Sequence, residues 1–321
     1  MSKPTLSVII ANYNHARHIG KALDAILSQS FLPAEVIVVD DGSTDNSIEV
    51  IDGFIRKHGI IRLLKNHTNK GVTFSNGRGL ENASGDYVYF ASSDDMVLPG
   101  FFEKSMELLS QYPQAGLCHA ELKTFQGREY KFYLAGRQLL FFSVDELTLV
   151  FKKRGYFTAS GANSIFRRQA ILDSGGIIPQ IGALWDVFAA MTVAVRHGMC
   201  YLPEPLVAIR TADDSFSGLA KRRGAVLRKL LNETMLLLDT PAYRDVADWV
   251  EETGVWPILI PSMLCLLLKD RRRWRYLSAG LVRRALWRGV RSAVGRIVPV
   301  AGKDCFSKIA NGYRNLVYAP D

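Results

Sequence analysis

Two apolar runs that each lead into a pair of aspartates constrain this chain more than any other feature. Val36-Ile37-Val38-Val39 runs into Asp40-Asp41-Gly42-Ser43, and Tyr87-Val88-Tyr89-Phe90-Ala91 runs through Ser92-Ser93 into Asp94-Asp95. A short unbroken run of β-branched and aromatic residues reads as a strand buried on both faces, and such strands belong to sheets covered by helices. Acids at a strand's end contribute nothing to packing. They suit Mg²⁺ or Mn²⁺, which take carboxylate oxygens and keep positions open for phosphate. In open α/β sheets ligands bind at the carboxyl ends of strands. Two acid-tipped strands in one sheet therefore predict a nucleotide-diphosphate site.

The stretches between these runs have helical spacing. After a first strand at Leu6–Ala11, residues His18–Gln29 place Ile19, Leu23, Ile26 and Leu27 on one face. Asn46–Lys57 does the same with Ile48, Ile51, Phe54 and Ile55. A strand at Ile60–Leu64, a helix at Thr73–Ala83 and a helix opened by Pro99 complete the rhythm. Strand–helix alternation predicts βαβ units, hence an α/β fold with a mostly parallel sheet flanked by helices. From about 116 to 158 the pattern weakens and becomes aromatic-rich, which reads as a variable subdomain or an acceptor loop. An ordered block follows at 160–210, with Val187–Val195 helical. Beyond it the chain turns helical and Arg-rich. The expected division is a catalytic domain at 1–217 and a basic helical extension at 218–321.

Charge marks the same boundary. Residues 1–214 hold 21 Lys/Arg and 22 Asp/Glu, a balance of −1; residues 215–321 hold 19 and 9, a balance of +10. The first part has the balance of an ordinary enzyme, and the last part is built to meet something anionic. Cys118, Cys200, Cys265 and Cys305 show no paired or metal-ligand spacing, which points to a reducing compartment and no disulfide framework. The N-terminal apolar run is too short for a signal peptide. No stretch reaches the roughly 18 apolar residues of a spanning helix. From Lys269 to Arg296 there are ten Lys/Arg and one acid. Val282, Leu286, Val290 or Ala293, and Ile297 share a helical face there, with Arg284, Arg288 and Arg291 largely opposite and Trp274 and Trp287 as interfacial aromatics. This pattern fits a helix lying in an anionic membrane interface, or one docked on the catalytic domain. Nucleic acid is not expected as a partner, because an acidic site gives such binding no purpose.

Two residues at these strand ends carry candidate chemistry. Tyr13, after the first strand, can lay its ring against a base or simply cover the rim. Asp41 can only accept hydrogen bonds, so it can read the ring N–H that uracil, thymine and guanine offer and cytosine lacks. Gly42 to Asp45 reads as a capped turn before a helix.

Taken together, these motifs resemble glycosyltransferase family 2, whose members have the GT-A fold. The resemblance rests on Leu6-Ser7-Val8-Ile9-Ile10-Ala11-Asn12-Tyr13-Asn14, on Val38-Val39-Asp40-Asp41-Gly42-Ser43-Thr44-Asp45, and on Gly85-Asp86-Tyr87 through Asp94-Asp95-Met96-Val97-Leu98-Pro99. It extends to Ala162-Asn163-Ser164-Ile165-Phe166-Arg167-Arg168, Gly175-Gly176, and Tyr201 to Arg210. It covers residues 5–215 and leaves the last third outside.

The resemblance implies roles residue by residue. Tyr13 stacks on the base beside the Ala11 backbone, and Asp41 accepts from the base N–H. Asp94 faces ribose or phosphate, and Asp94 and Asp95 hold Mn²⁺ or Mg²⁺. Asp186 takes the place of the catalytic base of an inverting reaction, and it equally suits the first turn of a helix. The sequence departs from the family in four places. Ser92 replaces an acid, Asn76-Gly77 replaces an Arg-Asn pair, Trp185 replaces the Glu before the base, and no His follows Arg210. Trp185 then shapes the acceptor pocket, and Lys70 or Arg210 meets phosphate. The implied function is transfer of one sugar from a nucleotide diphosphate sugar, UDP before dTDP or GDP, to a glycan or lipid-linked acceptor. The setting would be surface polysaccharide assembly on the cytoplasmic face of the plasma membrane. Two rivals are a nucleotidyltransferase, which would need a Gly-rich phosphate loop absent here, and a catalytically silent binding protein at the membrane.

Overall fold

The computed structural model describes residues 3–125, 129–130, 141–154, 157, 159–210, 224–256 and 267–277. The predicted alternation opens it: β1 (Leu6–Asn12), α1 (Ala16–Leu27), β2 (Glu35–Asp40), α2 (Ser47–Ile55), β3 (Ile61–Lys65), α3 (Val72–Asn82), β4 (Tyr87–Ser92), β5 (Met96–Val97) and α4 (Phe101–Gln111). Then follow β6 (Leu117–Thr124), β7 (Glu129–Tyr130), β8 (Phe141–Phe142), α5 (Val144–Arg154), β9 (Ser164–Arg167), α6 (Arg168–Asp173), α7 (Trp185–His197), β10 (Met199–Ile209), α8 (Gly224–Leu238) and α9 (Arg244–Thr253).

One mixed sheet runs β3-β2-β1-β4-β9-β6-β10-β5. Its first four strands are parallel, and β9 lies antiparallel to both β4 and β6. Strand periodicity splits the side chains between two apolar layers. Ile9, Ile37, Val39, Val88 and Phe90 face the layer of α7, α8 and α9, while Val8, Ile10, Val36, Val38 and Tyr89 face that of α1 and α4. β1 is buried on both sides, as its unbroken apolar run requires. On it α3 sits very close: a Cβ on Gly79 would lie 2.3 Å from Ile9 Cγ2.

The weak-pattern stretch after 116 supplies β6, an interior strand between β9 and β10. His119 and Glu121 share the face of Leu117 and are fully buried, and Glu121 accepts from the Tyr201 hydroxyl of β10. These polar residues hide the strand in the sequence. The part expected as a variable loop thus adds to the sheet's core, with 131–140 outside the described residues.

The segment after 223 packs onto the same body. Leu231 and Met235 of α8, Val246 and Val250 of α9, and then Trp256, Leu267 and Tyr276, are buried in one apolar cluster with Phe188 and Met191 of α7. The expected basic helix around 282–297 lies outside the described residues. Among the described residues no helix is long and apolar enough to cross a membrane.

Candidate active site

The register of β1 brings the acidic tips together. Asn12 pairs with Asp40 of β2 on one side, and Ala11 pairs with Ser92 of β4 on the other. The Asp41 N–H donates to the Asn12 carbonyl (2.8 Å). The loop after β1 is tied to the loop after β2 because Asn14 Oδ1 accepts from the Thr44 N–H (2.8 Å), with Asn14 itself in the left-handed region at φ 53°. Tyr13 belongs to the first of these loops and is exposed.

Asp41 is buried and held from three directions. Oδ1 accepts from Asn66 Nδ2 (2.7 Å) and the Lys70 N–H (2.9 Å), and Oδ2 accepts from the Gly71 N–H (2.7 Å). Lys70 therefore reaches Asp41 through its backbone, and its side chain is exposed. Arg78 donates to Asn66 Oδ1 (2.6 Å), which fixes the amide with its Nδ2 toward Asp41. Two carboxylate oxygens offer about four lone pairs. Three protein donors fill three of these.

Asp94 and Asp95 are half-buried at the tip of β4. β5 pairs with Val207 and Ala208 of β10, and this antiparallel contact delivers Arg210 to the pair. The Arg210 N–H donates to Asp95 Oδ1 (2.8 Å), and its Nε donates to Asp94 Oδ2 (2.9 Å). Burial pushes the Asp95 carboxyl up to about 6, and the neighbouring Asp94 charge adds to this. Among the described residues no three His, Cys, Asp or Glu side chains converge. The donor set nonetheless fits Mg²⁺ or Mn²⁺, which bind through one or two carboxylates and complete their shells with phosphate and water.

Asp186 opens α7. Its Oδ1 accepts from the Val187 N–H (2.8 Å) and its Oδ2 from the Gly161 N–H (3.2 Å). Burial raises its pKa against these two lowering contacts. Gly161 packs on Phe90 of β4, two residues before Ser92, which places Asp186 beside the same strand end. Trp185, expected at an acceptor pocket, is 6% exposed and meets Phe90 edge-on at 5.0 Å. It backs Asp186 from the core.

The sequence profile described as glycosyl transferase family 2 matches residues 7–174. The chain belongs to glycosyl transferase family 2. It is similar to the glycosyltransferase GlyG of Streptococcus pneumoniae, 30% identical over 149 residues, covering 45% of this chain and 47% of that one. It spans less than half the length of several curated relatives that it matches. Its fold resembles that of S. aureus TarS in complex with UDP-GlcNAc (TM-score 0.61, 19% identity, 78% of this chain and 70% of that one). It also resembles the mannosyltransferase PcManGT of Pyrobaculum calidifontis in complex with GDP-Man and Mn²⁺ (TM-score 0.58, 17% identity, 100% and 82%). The fold is GT-A.

Within this family-2 site, several contributors escape sequence reasoning. Asn66, Arg78 and Asn14 act at second hand, through groups far off in the chain. His15 Nδ1 lies 2.6 Å from Ser93 Oγ, and its ring meets His18 edge-on at 5.9 Å. Burial lowers the His18 pKa, and the nearby Arg210 charge lowers it further. The available signal was the position of the two His, one capping and one in the first turn of a helix that follows an Asn-Tyr-Asn strand end.

Proposed function

We propose that this chain is an inverting glycosyltransferase that moves one sugar from a nucleotide diphosphate sugar to a hydroxyl acceptor. The observation that carries this reading is the convergence of Tyr13, Asp41 and the Asp94–Asp95 pair at one sheet edge, with Asp186 beside them. Tyr13 stacks on the base with Ala11 alongside. The remaining lone pair of Asp41 accepts the base N–H, which favours UDP and admits dTDP or GDP. Asp94 and Asp95 hold Mn²⁺ or Mg²⁺. When bound, that cation supplies charge neutralisation for the departing nucleoside diphosphate. Lys70 and Arg210 add positive charge at the rim. Asp186 takes the proton of the acceptor hydroxyl. That oxygen attacks the anomeric carbon opposite the leaving group, and the bond to the diphosphate oxygen breaks with its electron pair. The configuration inverts in one displacement.

The acceptor side is read as a glycan or lipid-linked saccharide in surface polysaccharide assembly, on the inner face of the plasma membrane. Exposed Leu268 and Trp274, with Arg271 over the Trp274 ring at 5.6 Å, support membrane contact by the basic segment. Deleting 269–321 should move the protein from the membrane to the soluble fraction; unchanged partition would end that part of the reading. The transfer reaction is tested by nucleoside diphosphate release from UDP-GlcNAc and GDP-Man with Mn²⁺. Release that disappears in Asp95→Ala and in Asp186→Asn is expected. Release unaffected by both substitutions would refute the assignment.

A further inference from the structure

We propose that the Ser160–Asn163 turn is the positioning device for Asp186, with Asn163 as its anchor. This rests on the reading of Asp186 as the base and adds the residues that aim it. Of the two donors on the Asp186 carboxylate, Val187 belongs to its own helix. The other, Gly161, comes from a separate element and so fixes how the carboxylate is turned.

Gly161 is held in place by the two strands that flank β9. The Ser160 N–H and hydroxyl both donate to Asn163 Oδ1 (3.0 and 2.9 Å), closing the turn on itself. Asn163 Nδ2 donates to the Ala120 carbonyl of β6 (3.0 Å). The Tyr89 hydroxyl of β4 donates to the Ala162 carbonyl (2.8 Å). Two strands thus grip a single turn whose N–H points at the carboxylate. Asn163 has no exposed surface, and its amide is used at both ends, so its orientation is determined. Space at the turn is equally determined. A Cβ on Gly161 would lie 3.2 Å from Asp186 Cβ, 3.5 Å from Phe90 Cβ and 3.6 Å from Trp185 Cη2. A helix start does not require any of this, because within the first turn Asp186 already accepts from the Val187 N–H. A base does require it: the carboxylate must come within hydrogen-bond reach of one hydroxyl. A displacement of about 1 Å can cost on the order of a hundredfold in rate.

The test measures kcat and KM for nucleoside diphosphate release from UDP-GlcNAc and GDP-Man with Mn²⁺. It uses wild type, Asn163→Ala, Gly161→Ala, Asp186→Asn, and each turn variant combined with Asp186→Asn. Both single turn variants should lose about ten- to a hundredfold in kcat with donor KM unchanged. Neither should lose anything further in the Asp186→Asn background, because the turn acts through that carboxylate. Equal losses in both backgrounds, or a change in KM alone, would overturn the proposal and make the turn merely structural. Loss in Asp186→Asn with full kcat in the turn variants would reject the device and keep the base. Full kcat in Asp186→Asn would reject both. A crystal structure of Gly161→Ala gives a readout independent of turnover: the Asp186 carboxylate should be displaced, and an unmoved carboxylate would overturn the proposal.

Discussion

Replacing Asp95 by Asn should stabilise the cation-free protein at neutral pH. The Asp95 carboxyl has an ordinary value of 3.8 and is pushed up to about 6 by burial and by Asp94. Between those values the native state holds a proton that the unfolded chain has released. Unfolding free energy therefore falls as pH rises through that window, and the penalty is complete above about pH 6. The full displacement corresponds to about 3 kcal/mol. Solvent contact at a half-buried site trims this to about 1–2 kcal/mol, a few degrees in melting temperature. Asn keeps an oxygen to accept the Arg210 N–H and removes only the charge. The assay is thermal unfolding in chelator at about pH 8 and about pH 4.5, then at about pH 8 with Mn²⁺. Asp95→Asn should melt higher than wild type at the upper pH, and the gap should narrow to about a third at the lower one. Mn²⁺ should raise wild type and leave the variant unmoved. A variant that melts lower at about pH 8, or a gap independent of pH, would refute the reasoning and make Asp95 a structural acceptor.

Other substitutions separate binding from folding. Tyr13→Ala removes an exposed ring, so it should weaken nucleoside diphosphate binding by about tenfold with the melting temperature unchanged, read by calorimetry. Arg210→Ala leaves the largely buried Asp94 carboxylate without the guanidinium 2.9 Å away and should destabilise by about 2 kcal/mol in urea unfolding. Gly79→Ala forces a methyl against Ile9 and should cost about 1–3 kcal/mol by the same measurement, despite the better helix propensity of Ala.

The sequence makes the β1, β2 and β4 part of the candidate site legible because its strands are unbroken apolar runs. Val36–Val39 and Tyr87–Ala91 can only be strands covered on both faces, and register then aligns their acidic tips around Asn12. Other parts of the candidate site are harder to read. β6 is interior but carries His119 and Glu121, so local hydrophobicity gives no sign of it. The delivery of Arg210 to Asp94 depends on β5, a two-residue strand whose pairing with β10 spans more than a hundred positions. Trp185 illustrates a different gap: its place next to the candidate base is visible in the sequence, but whether its ring faces a ligand or the core depends on Phe90, far away in the chain. Asn66 stays hidden for a similar reason, since its role exists only once Arg78 has turned its amide toward Asp41.

The most direct test of a nucleotide-diphosphate site is a melting-temperature series with UDP, GDP, dTDP and CDP, each with and without Mn²⁺, on wild type and Asp95→Ala. Saturation at about a hundred times Kd adds about 2.7 kcal/mol of stability, well within detection. A Mn²⁺-dependent rise with UDP, or with GDP or dTDP but not CDP, lost in Asp95→Ala, is the predicted result. No rise with any diphosphate would contradict it.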